Sequence, residues 1–350
     1  MTEKVDLSSG GDVLIIGGGI SGITAALELA QSGIPLTLVE RESSLGGLAA
    51  SFCCKASESC NKCFACVVDK RISEIHQRRD ISVLTQTEVA GVKNNGAKYQ
   101  VALKRGTAKI NLEVSAVVIA AGINPFDAPR KAEYGYGRYK DVITAKDLDE
   151  MLRFHGALSR PSDGKLPKRT AFFQCVGSRD ESVGNLYCSQ VCCAYALRLI
   201  KTIRHQYPEV KATFLYTDIQ PAGAFFQKFL DSCRLDRGIR LIRSLPSKVY
   251  YSPLSNTLSV RFIDPEKEEV VEDPFDLIVL SVGMVLSNQA RPLTALFGLD
   301  LTKDGFIASP PRQSGVFVTG ACHGPKDIDR SILHAKSVAF LVQQHLRGRA

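Results

Sequence analysis

Cys175, Cys188, Cys192 and Cys193 are separated by twelve residues, then three, then none. Adjacent cysteines close poorly into a disulfide. Cys188 and Cys192 stand one helical turn apart, so the spacing predicts three thiols converging at a helix start. Soft thiolates there are what an iron-sulfur cluster needs, and amides at a helix N-terminus favour the negative charge that thiolates and cluster carry. The competing reading is four small buried hydrophobes.

A second run, Cys60, Cys63 and Cys66, has the C-x-x-C-x-x-C spacing of a ferredoxin loop, and Cys53 or Cys54 can give a fourth ligand. It can hold a second cluster, form a redox disulfide or bind zinc; no proline or distant partner cysteine completes the ferredoxin pattern.

Residues 12 to 40 read as a buried apolar strand, a glycine turn, a helix with Ile23, Ala26, Leu27 and Ala30 on one face, a stop at Gly33 and a second strand. Gly17, Gly19 and Gly22 occupy the G-x-G-x-x-G positions, and Glu40 ends the second strand. The first glycine permits the turn, the second admits a pyrophosphate against the backbone, and the third lets helix and strand pack. The acid accepts ribose hydroxyls. Glu40 leads into a Leu45-Gly46-Gly47 loop, which resembles the two-dinucleotide-binding flavoproteins and so implies FAD. In those proteins an apolar strand leaves the FAD domain, as Val117 to Gly122 would here. Residues 277 to 283 fit the return crossing, and the segment from Gly315 fits the terminal flavin-contacting strand and helix.

The chain has 350 residues, and two domains are the expectation. A hydrophobic content of 45% and a charged content of 23% suit an ordinary globular protein. No apolar run reaches membrane-spanning length, and the N-terminus has no apolar leader core, so the chain reads as cytoplasmic. Eleven cysteines in such a chain point to metal or redox chemistry. The net charge of +8 is spread out, in pairs such as Arg78-Arg79 and Lys104-Arg105, and reads as solvated surface and internal counter-charge, not as a nucleic-acid footprint.

Residues 81 to 122 read as a β-meander with turns at Asn94-Asn95-Gly96 and Arg105-Gly106. Residues 141 to 160 look helical, and a polar, proline-punctuated crossing follows. A strand from Thr170 to Val176, the cysteine loop, a helix over 189 to 206 and a strand at 212 to 219 then repeat the dinucleotide plan. Where a nicotinamide domain needs its glycine loop, this unit has Cys175, Val176 and Gly177, so NAD(P)H binding is not expected there. The fold class is therefore α/β with two Rossmann-like dinucleotide-binding domains, the second modified to hold a cluster. Residues 1–122 and 284–350 are assigned to the FAD domain, and residues 123–283 to the cysteine-bearing unit.

Leu45-Gly46-Gly47, the run from Glu133 to Thr144, Ser162 to Lys165 with the four-cysteine stretch, Asp276 to Gly283, and Gly324 to Ile328 together resemble the flavoprotein A subunit of heterodisulfide reductase and its relatives in sulfur-oxidising bacteria. The resemblance covers most of the chain. It implies a thioredoxin-reductase-like core that binds FAD, a four-iron (4Fe-4S) cluster on Cys175, Cys188, Cys192 and Cys193, and a protein that passes electrons between the two in sulfur-compound oxidation. Companion subunits resembling the B and C proteins would handle the thiol or disulfide substrate, and the chain would be a homodimer. The sequence runs from Lys109 straight into the exit strand and stops at Ala350, so it resembles the compact form without ferredoxin modules.

For the cofactor, the resemblance implies contacts at Gly17, Gly19, Gly22, Glu40, Arg41, Gly46, Gly47 and Val89. Ala121, Gly122, Gly320, Lys326, Asp327 and Ile328 would complete the set. A helix start near Ile328 and the Lys326 cation would meet the charge that grows on a reduced flavin. Related reductases carry an acid at the position of Ala321; Asp327 is the nearby acid here. His323 is read as a structural hydrogen-bonding residue or a proton relay. The competing function is a stand-alone NAD(P)H-dependent flavin disulfide reductase with Cys63 and Cys66 as its dithiol.

Overall fold

The computed structural model describes residues 12–96, 98–220, 226–253 and 257–348. The leader-free N-terminus read above, residues 1–11, and the end at Ala350 lie outside the described residues. Two compact units share the chain: Met1–Ala50, Phe64–Asn124 and Val285–Ala350 form one, Ser51–Cys63 and Pro125–Met284 the other. Residues 51–63 therefore pack with the second unit, although they interrupt the first in sequence.

In the first unit, a parallel sheet runs Val316–Val318, Ala116–Ile119, Val13–Ile16, Leu36–Val39, Ile81–Leu84. Val13–Ile16 is its centre and is buried at every position, as expected of a parallel strand covered on both faces. Val13 and Ile15 pack under the helices Ile20–Gln31 and Ile328–Arg347, through Ile23, Leu27, Ala335 and Val338. Leu14 and Ile16 face an antiparallel sheet that contributes Val101, Leu103, Ile110 and Leu112. That sheet comprises Thr87–Asn94, Tyr99–Arg105 and Ala108–Val114. The expected meander is thus present in its middle three strands, while its two ends join the parallel sheet, Ile81–Leu84 beside Leu36–Val39 and Ala116–Ile119 beside Val13–Ile16. The buried ends of the first, Ile81 and Leu84, suit a sheet edge under a helix better than an open ribbon.

The second unit repeats this order. Its sheet runs Val142–Thr144, Leu277–Val282, Arg169–Val176, Lys211–Leu215, Ile239–Ile242, all parallel. A three-stranded antiparallel sheet, Lys248–Ser252, Thr257–Asp264 and Glu269–Phe275, covers one face. Arg169–Val176 holds the central place that Val13–Ile16 holds in the first unit, and the helix Cys192–Gln206 follows it.

Residues 141 to 160 are not one helix. Val142–Thr144 is an edge strand, because two β-branched apolar residues can be buried against Leu277–Val282. Only Ala145–Glu150 is α-helical, followed by a π-turn over Met151–His155. Thr144 starts that helix with a capping box: its Oγ1 accepts from the Asp147 N–H at 3.1 Å, and Asp147 Oδ2 accepts from the Thr144 N–H at 2.8 Å. Thr144→Ala should lose about 1 kcal/mol, read as a fall of roughly 2–4 °C in the midpoint of thermal unfolding.

Candidate functional site

The glycine turn of the first unit is built by close backbone approach. Gly17 has φ +107° and donates its N–H to the Val39 carbonyl at 2.9 Å. A Cβ on Gly22 would lie 1.8 Å from the Gly17 carbonyl oxygen, so helix and turn touch there with no room for a side chain. Gly19 is different: a Cβ there would meet open space. Gly19 precedes the helix Ile20–Gln31 with no side-chain cap, so first-turn N–H groups are left to an outside acceptor. That is the chemistry of a pyrophosphate cradle.

Glu40 closes the turn from the other side. Its Oε2 accepts from the Gly18 N–H at 2.6 Å and its Oε1 from the Glu42 N–H at 2.8 Å. Each oxygen keeps a second lone pair, enough for ribose hydroxyls. The Glu40 backbone exchanges hydrogen bonds with Leu84 and Thr87, which places the strand bearing Val89 beside it. Val89 itself packs into the core of the unit. Gly46 donates to the Gly18 carbonyl at 2.7 Å, and a Cβ on Gly47 would crowd Gly19 Cα at 3.2 Å. The two glycine loops of the sequence are thus stacked backbone on backbone. Arg41 remains on the surface, paired with Glu42.

The terminal segment meets the same helix. A Cβ on Gly320 would strike Ser21 Oγ at 2.1 Å, and the Gly320 N–H donates to His334 Nδ1 at 3.1 Å. Asp327 caps the helix Ile328–Arg347, its side chain accepting from the Arg330 N–H at 2.8 Å. Its carboxylate is therefore spent on the helix and serves a ligand only through its remaining lone pairs. Lys326, half-buried, donates to the Gly324 carbonyl at 3.3 Å. Ala121 and Gly122 send their N–H groups toward the buried Cys322 thiol, which burial pushes up to about 11. His323 bonds Ser309 at 2.8 Å and lies against the His334 ring. Burial, and then Lys326 and His323, push His334 down to about 4. His334 and Cys322 escaped the sequence reading because nothing in their local spacing marks them.

In the second unit, four thiols take the place of the glycine turn. Cys175, next to last in the central strand, takes a left-handed conformation, φ +59°. Arg179 and Gln190 are also left-handed, at φ +56° and +61°. Among the described residues seven non-glycine positions have positive φ, and five of them, Lys62, Phe64, Cys175, Arg179 and Gln190, fall in or beside the two cysteine runs. Each costs about 1–3 kcal/mol, so their concentration there points to function. The loop is cinched by two buried hydroxyls: Ser178 Oγ accepts from the Ser189 N–H at 3.0 Å, and Ser189 Oγ accepts from the Met284 N–H at 2.9 Å. Cys188 lies in this loop, and the helix begins only at Cys192, because the turn at Gln190 breaks the expected helical spacing.

The four thiols act on one another electrostatically. Burial, with Cys193 next, pushes Cys175 up to about 11; burial followed by its cysteine neighbours raises Cys192. Yet N–H groups aim at the sulfurs: Gln190 donates to Cys188 Sγ at 3.3 Å, and the Gln220 backbone favours the thiolate of Cys193. Thiols that repel each other as thiolates, two of them buried and two half-buried, with donors pointing at Cys188 and Cys193, fit an iron-sulfur core that would deprotonate them. Among the described residues, no three or more His, Cys, Asp or Glu side chains are drawn together to hold a metal ion. A cube of four irons is wider than one ion, so its ligands stand further apart.

The other cysteine run is split. Cys53, Cys60 and Cys63 belong to the second unit, whereas Cys66 lies on the helix Ala65–Gln77 of the first. Cys53 is buried in the same core as Cys193, while Cys54, Cys60 and Cys66 are exposed. Burial, with Asp149 next, pushes Cys53 up to about 12. Among the thiols, Cys63 is the one whose charge acts on it.

Two doubly wound units, each a parallel sheet with an antiparallel layer, define a two-Rossmann oxidoreductase fold. Residues 11–153 match the pyridine nucleotide-disulphide oxidoreductase family. Solved structures of the same fold include the thioredoxin reductase of T. acidophilum (TM-score 0.64, 14% identity, 97% of this chain and 99% of that one). That of Lactococcus lactis gives a TM-score of 0.62 at 18% identity, again over 97% and 99%. Over nearly its whole length the chain is similar to A proteins of heterodisulfide reductase. It is 31% identical to an iron-sulfur A protein of the CoB-CoM heterodisulfide reductase of Methanopyrus kandleri, over 97% of this chain and 64% of that protein. Against the A protein of the ferredoxin/F420H2-dependent CoB-CoM heterodisulfide reductase of Methanosarcina acetivorans it is 31% identical, over 96% and 53%. The chain thus spans only part of these relatives' length. Among the described residues no helix is long and apolar enough to cross a membrane.

Proposed function

We propose that this chain is an FAD- and iron-sulfur-dependent electron-transfer subunit of a heterodisulfide-reductase-like complex. The observation that carries this reading is the contrast between the two units: the first keeps a glycine turn open to a dinucleotide, and the second has four thiols at the same place in its fold, in a loop strained at Cys175, Arg179 and Gln190 and with N–H groups facing Cys188 and Cys193.

Bound, the flavin would exchange two electrons and the four-iron centre one at a time. The protein's own part is to hold and screen. Gly17, Gly19 and Gly22 with the helix Ile20–Gln31 would take the pyrophosphate, and Glu40 the ribose. Lys326 and the helix start at Ile328 offer positive charge to an anionic reduced ring. His334 keeps its proton on Nε2, because Nδ1 is fixed as an acceptor by Gly320. Cys175, Cys188, Cys192 and Cys193 would ligate the cluster. Companion subunits resembling the B and C proteins of heterodisulfide reductase would meet the thiol or disulfide substrate, in a sulfur-oxidising setting and around a homodimer of this chain. NAD(P)H has no place in this scheme, since the second unit has no glycine turn to receive it.

Protein purified without oxygen should contain about four irons and one FAD per chain, and NADH should not bleach the flavin. Cys188→Ser should lose most of the iron while keeping the flavin, and partner-dependent reoxidation of the reduced flavin should stop. Full iron in that variant, or rapid bleaching of the wild type by NADH, would sink the proposal.

A further inference from the structure

Arg179 and Asp218 form an ion pair, Nη1 to Oδ1, at 2.5 Å beside the four thiols. Both groups are anchored to the ligand loops. The Arg179 N–H donates to the Tyr187 carbonyl at 2.9 Å, one residue before Cys188, and the Asp218 carbonyl faces Cys193 Sγ at 3.8 Å. Arg179 also adopts a strained left-handed backbone, φ +56°. One cation and one anion are thus held on the two segments that carry or touch the thiols. Arg243 also acts on Asp218, and Gln220 donates to Asp218 Oδ1 at 2.9 Å.

We infer that the Arg179–Asp218 pair sets the reduction potential of the group held by the four thiols. This rests on the proposed function above. One-electron reduction adds one negative charge to that group and makes or breaks no bond; the electron comes from the reduced flavin, or from dithionite in the test. A fixed cation nearby stabilises the reduced form, and a fixed anion the oxidised form. At 30% and 40% exposure the pair is only partly screened. Neither residue is a ligand; each acts through the charge it presents to the sulfurs.

The experiment is an anaerobic redox titration of the full chain, followed by electron paramagnetic resonance of the reduced cluster, with iron measured in every sample. Arg179→Gln should disfavour reduction about tenfold, a fall of ~59 mV for a one-electron couple. Asp218→Asn should shift the equilibrium in the opposite direction, and the double variant should return close to wild type. A merely structural pair would not give opposite signs. Shifts of the same sign, shifts under twofold, or loss of iron from Arg179→Gln would overturn the inference while leaving the cluster reading standing. A wild-type chain that takes up no iron would overturn both.

Discussion

Gly22→Val should yield a protein purified with less than a tenth of the wild-type flavin and an unchanged iron content. The Gly22 Cβ position lies 1.8 Å from the Gly17 carbonyl oxygen and 3.4 Å from Ala120 Cβ. The first obstacle is backbone, so no rotamer relieves it; the helix Ile20–Gln31 must move off the strand. That shift would break the turn in which Gly17 bonds Val39 and Gly18 bonds Glu40 at 2.6 Å. The control is Gly19→Ala, whose Cβ enters open space at φ −74°. It should leave thermal stability unchanged, so any flavin lost there reports a clash with the ligand and not strain in the protein. The flavin absorbance of the purified variants and their melting midpoints decide the matter. Full flavin in Gly22→Val would place the cofactor elsewhere.

Why the glycine turn was legible and other parts were not follows from the range of the interactions. Gly17, Gly22, Gly46 and Gly47 are dictated by local backbone geometry, and the chain can only write them as glycine. The central strands Val13–Ile16 and Arg169–Val176 announce themselves as short apolar runs bounded by turns. Two helices were misread. The helix expected over 141 to 160 failed because a three-residue edge strand is too short to show a period. The helix expected over 189 to 206 begins only at Cys192, because the left-handed turn at Gln190 leaves no mark in the sequence. Asp327 also caps the last helix, a role that its position in sequence cannot tell from a cofactor contact. Arg179, with its partner Asp218 thirty-nine residues away, and Gly320, with its partner His334, depend on tertiary folding.

Asp149→Leu should lower the stability of the second unit by about 3–5 kcal/mol, the penalty for orphaning one member of a buried ion pair. The midpoint of its thermal transition should fall by roughly 6–20 °C. Lys55 and Asp149 are 1% and 0% exposed and meet at 2.7 Å. Asp149 also accepts the Cys53 N–H at 2.7 Å and the Tyr195 hydroxyl at 2.7 Å. The Lys55 ammonium donates to the Cys53 carbonyl at 3.1 Å and lies 5.2 Å from the rings of both Phe52 and Tyr195. With leucine at 149, an ammonium without its counter-ion and an unsatisfied Cys53 N–H are left in a dry core, while the Tyr195 hydroxyl keeps the Ala145 carbonyl at 3.2 Å. Lys55→Met should be milder, because the carboxylate keeps both donors. Tyr195 sits on the helix that begins with Cys192, so the pair ties the cysteine-rich segment Ser51–Cys63 to the element carrying two proposed ligands. Asp149→Leu should therefore expose residues 51–63 to proteolysis at temperatures well below the main transition. If that segment stayed protected while the unit melted earlier, Asp149 would support the core alone, and the anchoring of the segment would fall to Arg153 on the Phe52 carbonyl and Arg198 on the Asn61 carbonyl.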